Sequence, residues 1–347
     1  MRLARVVSTF LLFSGLIGAP DPSAVSSANE AQAATEPSPQ PQPPAGGVGP
    51  GKKKLDDATI ERLLKIQDEE QVAVHVVLLP ASVEDKKGRI VTGLTAKDFT
   101  LREESVPQQI KYFSVENDEP VSIAFLLDVS GSMRLNGKLD AAKEAVRHFV
   151  DELRPNDRFA LICFADEQVA WVTPFTSDRQ RFLERLMVQE GYGQTALNDA
   201  VAATPKLVDD ATSGRKAIVL ITDGVDNASK LSVQEAIETA RKVEVPIFTI
   251  GFTSIPWDDE KKLKDIGFNM GVLRMFADET GGSVFVVHGP DEMKESVVRI
   301  SSELRHQYLI GYSPGLSRWD GRFRSIQLIA RNGRYVVRTR KGYYANP

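Results

Sequence analysis

The chain has 347 residues, enough for two domains with a sizeable hydrophobic core, and its formal net charge is −4. A charge so close to balance favours no particular class of partner. The single cysteine, Cys163, excludes an internal disulfide, and its apolar neighbours predict a place in the core.

Residues 1–19 have the pattern of an export signal. Arg2 and Arg5 precede an uncharged apolar stretch that is short for a transmembrane helix. We expect a signal peptide or an uncleaved anchor, and hence a periplasmic, cell-envelope or extracellular protein. Export also makes nucleic acid an unexpected partner. Residues 20–54 are rich in proline, alanine and serine, which is typical of a disordered or semi-rigid linker.

Residues 55–118 form an N-terminal flank whose second half alternates like β-structure. The stretches 72–79, 89–104 and 108–115 predict short strands that are separated by turns such as DKKG. This flank leads directly into a longer region of a different character.

The first strong element of that region is the apolar run 123–127, which ends in Asp128. The run is too short for a helix and predicts a strand buried on both faces. Ser130 and Ser132 follow, and residues 137–153 then have helical apolar spacing. The D-x-S-x-S segment therefore lies at the carboxyl end of a parallel strand, where α/β sheets bind ligands. Its oxygen ligands suit a hard cation, Mg²⁺ before Zn²⁺.

Two later loops repeat this chemistry. Thr195 lies in the glycine-bracketed loop GYGQT, which begins a helix, and Asp223 follows the buried-strand pattern KAIVLIT. A D-x-S-x-S triplet alone is more often a turn and helix cap. All the oxygen-bearing residues together, in this order, resemble the metal-ion-dependent adhesion site of von Willebrand factor type A domains: Asp128, Ser130, Ser132, Thr195 and Asp223.

Further polar residues lie near these loops in sequence. Asp199, Asp226 and Asn227 could contact the direct metal ligands, or metal-bound water, without touching the metal themselves. Asp226 and Asn227 could equally make a local turn.

Residues 119–304 alternate strands with helices, which predicts an α/β fold with a doubly wound, mostly parallel sheet and right-handed crossovers. After the first helix we expect an edge hairpin of strands 158–164 and 168–172. Further strands are predicted at 217–222, 246–251 and 283–287. Further helices are predicted at 178–187, 196–208, 233–243, 273–280 and 291–304.

Residues 305–347 return to β character, and Asn332–Gly333 predicts a hairpin turn. Neither flank alone has enough strands for an independent sheet core. We infer that the flanks pair into one β-sandwich-like domain, with the type A domain inserted between them. The motifs V-T-G-L-T-x-x-D-F at 91–99 and Q-x-I-x-x-F at 108–113 resemble secreted bacterial von Willebrand factor A-related proteins, which are abundant in acidobacteria.

The resemblance implies a binding function. In type A domains a carboxylate from a partner protein completes the shell of a bound Mg²⁺, with Mn²⁺ or Ca²⁺ as alternatives. We therefore expect an exported, adhesion-type module that binds a protein presenting Asp or Glu, with possible envelope association through the N-terminal segment. No general base, nucleophile or phosphate loop accompanies the motif, so we expect no enzyme. The alternatives are a scaffold whose metal only stabilises loops and, less favoured, a Mg²⁺-dependent hydrolase.

Overall fold

The computed structural model describes residues 76–116, 119–208, 215–242, 244–253, 260–314 and 319–346. The export signal, the linker and the first part of the N-terminal flank lie outside these residues. None of the helices within them is long and apolar enough to cross a membrane.

The described chain begins and ends with strands, and strands and α-helices follow one another between these two ends. The strands are β1 (Val77–Glu84), β2 (Phe99–Glu103), β3 (Val106–Gln108), β4 (Tyr112–Glu116), β5 (Val121–Asp128), β6 (Arg158–Ala165), β7 (Gln168–Thr176), β8 (Arg215–Thr222), β9 (Ile247–Phe252), β10 (Val284–Val287), β11 (Gln307–Tyr312), β12 (Phe323–Ala330), β13 (Val336–Arg338) and β14 (Gly342–Tyr344). The α-helices are α1 (Lys138–Glu152), α2 (Arg179–Met187), α3 (Leu197–Val208), α4 (Val233–Arg241), α5 (Glu260–Thr280) and α6 (Pro290–Arg305).

A six-stranded sheet has the order β10-β9-β8-β5-β6-β7. Every neighbouring pair in it is parallel except β6 with β7, which form the predicted edge hairpin. The central strand β5 is fully buried, and its alternate side chains enter two separate cores. Ile123 and Phe125 pack in one core with α1 and α6, whereas Ala124 and Leu126 pack in the other with α3 and α4. The prediction of a doubly wound α/β domain is confirmed.

Helix α5 is longer than the helix 273–280 that the sequence pattern predicted. Apolar periodicity begins only at Val272 and Leu273, which are buried, whereas α5 begins at Glu260. The first half of α5 is rich in lysine and contains Gly267 and Gly271, and such a segment gives little amphipathic signal.

The two flanks build two four-stranded sheets, with the orders β13-β1-β11-β4 and β14-β12-β2-β3. Each sheet mixes N-terminal and C-terminal strands: β1 pairs with β11, and β2 pairs with β12, both antiparallel. Leu79, Leu101, Ile310 and Leu328 belong to one shared core between them. The predicted pairing of the flanks around an inserted α/β domain is confirmed.

Two local predictions in the flanks were wrong. Within the stretch 89–104 the strand begins only at Phe99, directly after a short helical turn in which Asp98 accepts hydrogen bonds from the Thr95 backbone and hydroxyl. Asn332–Gly333 is not a hairpin, because β12 pairs with β2 and β14 whereas β13 pairs with β1 in the other sheet. Positive φ angles at Arg331, Asn332 and Gly333 instead turn the chain from one sheet into the other.

A pair of buried carboxyl groups lies where the flank meets the α/β domain. Glu84 of β1 is 3% exposed and Glu303 of α6 is 1% exposed. The Ser283 hydroxyl donates to Glu303 over 2.6 Å, and Arg338 Nε lies 3.3 Å from Glu84 Oε2. Burial, with a smaller contribution from the negative charge of Glu84, raises the pKa of Glu303 to about 7, although Ser283 and Arg338 act in the opposite direction.

This raised pKa predicts a pH-dependent stability. Between the ordinary pKa of 4.5 and about 7, the folded chain holds a proton on Glu303 that the unfolded chain releases. The resulting stabilisation is complete below that window and is lost as the pH rises through it. We expect Glu303→Gln to remove this component, measured as the free energy of unfolding in urea at about pH 5 and about pH 8.

Glu295→Gln is the matched control, because Glu295 is an exposed carboxylate on the same helix. Identical pH slopes for the unmutated protein and Glu303→Gln would contradict the prediction.

Candidate metal centre

The predicted metal-binding loops meet at the carboxyl edge of the six-stranded sheet. Strand β5 ends at Asp128 and its neighbour β8 ends at Thr222, immediately before Asp223. The chain leaves these two strands in opposite directions, to β6 on one side and to β9 on the other. Such a divergence opens a crevice at the strand ends, which is where open α/β sheets bind ligands.

Asp128 is fully buried at the base of this crevice. Its Oδ1 accepts a hydrogen bond from the Ser130 backbone over 2.8 Å, and its Oδ2 accepts one from the Thr222 hydroxyl over 2.6 Å. The pKa of Asp128 is raised to about 6, mainly by burial and also by the charge of Asp223, although the bonds from Thr222 and Ser130 act in the opposite direction. Burial disfavours the charged form of the carboxylate because it removes water. A cation close to Asp128 would stabilise that charged form.

The two serines of the motif place their hydroxyls side by side. Ser130 Oγ and Ser132 Oγ are 3.1 Å apart. Backbone bonds join this loop to the Thr195 loop: Gly131 N donates to Gly193 O over 3.0 Å, and Tyr192 N donates to Val129 O over 2.8 Å. The loops that contain Ser130, Ser132 and Thr195 are therefore fixed to one another by backbone hydrogen bonds.

Gly193 is required for this junction. Its φ of +65° is left-handed, and an added Cβ would lie 2.2 Å from Asp166 Oδ2. Asp166 cannot easily withdraw, because its Oδ1 accepts the Gln194 backbone N–H over 2.6 Å and its own N–H donates to Gln194 O.

Thr195 is 1% exposed, so its hydroxyl is not the surface group that a loop position suggests. Its backbone N–H donates to Asn227 Oδ1 over 2.8 Å, and its carbonyl accepts the N–H groups of Asn227 and Ala228. Asn227 thus links the Thr195 loop to the loop that follows Asp223.

Asp223 already has a cationic partner. Lys138 Nζ, at the first residue of α1, donates to Asp223 Oδ2 over 2.9 Å. Asp223 is 6% exposed. The position of the ammonium group shows that this carboxylate attracts and accommodates a positive charge.

Asp199 and Asp226 hold the surrounding loops. Asp226 accepts the Asn198 backbone N–H and the Ser229 hydroxyl, and Asp199 accepts the backbone N–H groups of Lys230 and Leu231. These bonds stabilise the start of α3 and the segment before α4. A part for either carboxylate in metal binding stays a prediction.

Sequence reasoning missed three supporting residues: Thr222, Lys138 and Asp166. Thr222 was interpreted only as the last residue of a strand, although a hydroxyl just before Asp223 could have indicated a bond to Asp128. Lys138 could have been noticed from the sequence. A lysine in the first turn of a helix is unfavourable beside the helix dipole, so its presence there indicates a compensating negative partner. Asp166 was assigned only to a hairpin turn.

The residues present fit a hard divalent cation. Carboxylate and hydroxyl oxygens dominate the crevice, and oxygen ligands are those that Mg²⁺, Mn²⁺ and Ca²⁺ prefer. Across the described parts of the chain, no three His, Cys, Asp or Glu side chains gather into a possible metal cluster. A cation at this edge would therefore depend on the serine and threonine hydroxyls as well as on the two carboxylates.

Residues 122–295 match the von Willebrand factor type A domain. The chain belongs to this family. Its sequence is 27% identical over 184 residues to an uncharacterized protein of Borreliella burgdorferi, covering 48% of this chain and 53% of that protein. It is 26% identical over 211 residues to a UPF0353 protein of Mycolicibacterium vanbaalenii, covering 54% of this chain and 62% of that protein.

A third type of relative is much longer. Over 150 residues the chain is 27% identical to inter-alpha-trypsin inhibitor heavy chain H4 of Bos taurus, covering 38% of this chain and 16% of that protein. The chain thus spans about half the length of the first relative, 53%, and a small part of the inhibitor chain.

Solved structures show weaker likenesses. A von Willebrand factor type A protein from Catenulispora acidiphila is 18% identical with a TM-score of 0.44, covering 64% of this chain and 70% of that one. The corresponding domain of the type V pili tip protein Mfa5 from Porphyromonas gingivalis is 14% identical with a TM-score of 0.44, covering 55% and 95%. At these scores neither likeness bears on function.

The site predicts that a divalent cation stabilises the folded protein. A ligand that binds only the native state at about 100 times its Kd adds about 2.7 kcal/mol to the free energy of unfolding. We expect Mg²⁺ or Mn²⁺ to raise the thermal midpoint of chelator-stripped protein. Asp128→Asn, which keeps the shape but loses the charge, should abolish that rise, and Asp128→Ala should do the same.

Glu184→Gln, at an exposed position of α2, is the control and should respond like the unmutated protein. A midpoint that does not change across millimolar metal would rule out the site.

The Gly193 junction gives a second prediction. Gly193→Ala should lower the free energy of unfolding by about 1–3 kcal/mol, because it adds a Cβ at positive φ and against Asp166. Gly93→Ala is the matched control, since Gly93 has φ +76° and open space around its Cα. Urea unfolding of both variants separates the backbone cost from the clash, and equal losses would contradict the contact with Asp166.

Proposed function

We propose that this protein is an exported interaction module that binds an acidic group of a partner protein through a divalent cation. The observation that supports the proposal best is the joining of the three predicted loops at one sheet edge. Direct bonds link the Ser130 loop to the Thr195 loop, and the Thr195 loop to the Asp223 loop, through Gly131–Gly193 and Thr195–Asn227. A site that is built in advance pays little ordering entropy when it binds.

The ligand set suits recognition of a carboxylate. Asp128 and Asp223 would offset a charge of two, and Ser130, Ser132 and Thr195 would add neutral oxygens that leave the cation electrophilic. A divalent cation held there would supply a coordination position for an Asp or Glu side chain of the partner. Glycines at Gly131 and Gly193 keep the two loops close enough for their hydroxyls to act together.

We also propose that the protein binds its partner without catalysing a reaction. The support for this proposal is the character of a cavity of about 400 Å³ beside the site, which Lys138 lines together with His288. His288 is 53% exposed and lies 2.9 Å from Glu292, whose carboxylate also accepts the His288 backbone N–H at the start of α6. This pair stabilises a helix end in contact with solvent, whereas a general base for a metal-activated water needs a position beside the metal.

Export and the narrower family assignment are part of the same proposal. The charged and apolar pattern of residues 1–19 supports export or anchoring in the envelope. The motifs at 91–99 and 108–113 support a place among secreted bacterial von Willebrand factor A-related proteins.

Thr195 provides the sharpest test of partner binding, because it reaches the site from a different loop than the serines. Thr195→Val removes the hydroxyl at nearly constant volume, and Thr195→Ser keeps the hydroxyl and removes the methyl group. We expect immobilised Thr195→Val to lose capture of a partner from envelope extract, as chelator should do for the unmutated protein. Thr195→Ser should retain capture, and Thr92→Ala, at an exposed loop position, is the control.

The captured partner then allows a direct check. Replacing its contacting Asp or Glu by the amide should abolish binding, because the amide is a poor substitute for a charged metal ligand. Capture that survives chelator and Thr195→Val would place the contact elsewhere and favour the scaffold, in which a metal stabilises loops only.

A further inference from the structure

We propose that Lys138 is a built-in counter-cation of Asp223, which competes with the divalent cation and so sets the affinity of the metal site. The inference rests on the proposed function and adds a regulatory residue to it. Lys138 Nζ lies 2.9 Å from Asp223 Oδ2, and the two side chains are 13% and 4% exposed. An ion pair so far removed from water is held more firmly than a surface pair.

The position of Lys138 in the helix points to the same role. Lys138 is the first residue of α1, where backbone N–H groups give a partial positive charge and a lysine is unfavourable. Two left-handed residues, Asn136 with φ 56° and Gly137 with φ 69°, turn the chain from the serine loop directly into this residue. The turn places the lysine beside Asp223, whose negative charge compensates the unfavourable helix position.

Charge balance makes the ammonium group and a divalent cation competitors. Asp128 and Asp223 carry two negative charges when ionised, so a divalent cation alone would neutralise them. With Lys138 still in contact the same site would hold one surplus positive charge, and like charges at close range repel. Metal binding therefore favours departure of Lys138 from Asp223.

A cavity beside the site gives the ammonium group of Lys138 room to move away from Asp223. Lys138 lines this cavity of about 400 Å³ together with Asp140, an exposed carboxylate farther along the same helix. The four-carbon stem of lysine rotates freely enough to move its ammonium group from one carboxylate to another. In this arrangement Lys138 keeps Asp223 paired when metal is scarce and yields it when metal is abundant.

The first test measures metal affinity. In chelator-stripped full-length protein, we expect Lys138→Gln to bind Mn²⁺ or Mg²⁺ at least about tenfold more tightly by calorimetry, because the competing cation is gone. The thermal midpoint without metal should fall, since Asp223 loses its partner, and the rise on adding metal should be larger. Lys138→Arg should keep the weaker affinity, and Lys294→Gln, on the exposed face of α6, is the control.

The second test follows the lysine itself. An amine-reactive reagent with mass-spectrometric readout reports how accessible each lysine is, with Lys294 as the internal reference. Labelling of Lys138 should increase several-fold when Mn²⁺ is added to the unmutated protein. Unchanged labelling of Lys138, or equal or weaker metal binding by Lys138→Gln, would overturn the inference.

The outcomes separate this inference from the proposed function. If the unmutated protein and Lys138→Gln bind the metal equally well and partner capture still requires it, only the role of Lys138 is wrong. If neither protein binds metal, the metal-dependent function fails and the inference fails with it.

Discussion

A carboxylate at the end of a strand that is buried on both faces must be given partners, and this requirement organises the whole carboxyl edge of the sheet. Asp128 receives its bonds from the residue two positions later and from Thr222 on the neighbouring strand. The second bond fixes the end of β5 against the end of β8, where Asp223 follows. The loops can then be joined to one another, because the strands from which they start no longer move independently.

The flanking β domain depends on a comparable polar junction. Helix α6 leads into β11, and Arg305 near its end is bound to Asp157 over 2.8 Å. Asp157 also accepts the backbone N–H of Val121 at the start of β5. The entry and the exit of the inserted domain are therefore tied to one carboxylate. The Glu84–Glu303 pair adds a second tie between the domains, one whose protonation changes near neutral pH.

Local pattern was enough to predict most of the fold and the order of the candidate ligands. The apolar run before Asp128 predicted β5, because a strand buried on both faces is apolar throughout. The spacing of residues 137–153 predicted α1, because a helix buried on one face has an apolar residue every three or four positions. Pairing of the flanks followed from counting strands. The Asn332–Gly333 turn could not be predicted correctly, since a positive φ is required both by a hairpin and by a turn between sheets.

The supporting residues of the site were harder to predict. Thr222 bonds a residue 94 positions away and Lys138 one 85 positions away, so the residue types hinted at a polar role but the local spacing did not identify the partners. Thr195 shows the same limit: its place in a glycine-rich loop suggested an exposed hydroxyl, whereas the joined loops cover it.

The pairing of β1 with β11 determines how the protein would respond to a pulling force. These strands are antiparallel, and Val77 lies opposite Tyr312, at the end of the ladder away from Gln307, where the type A domain is attached. A tension applied between Val77 and the type A domain would therefore pull the two strands past each other along their length. The paired residues would share such a load instead of separating one pair at a time, so the ladder would resist tension better in this direction than if its ends were peeled apart.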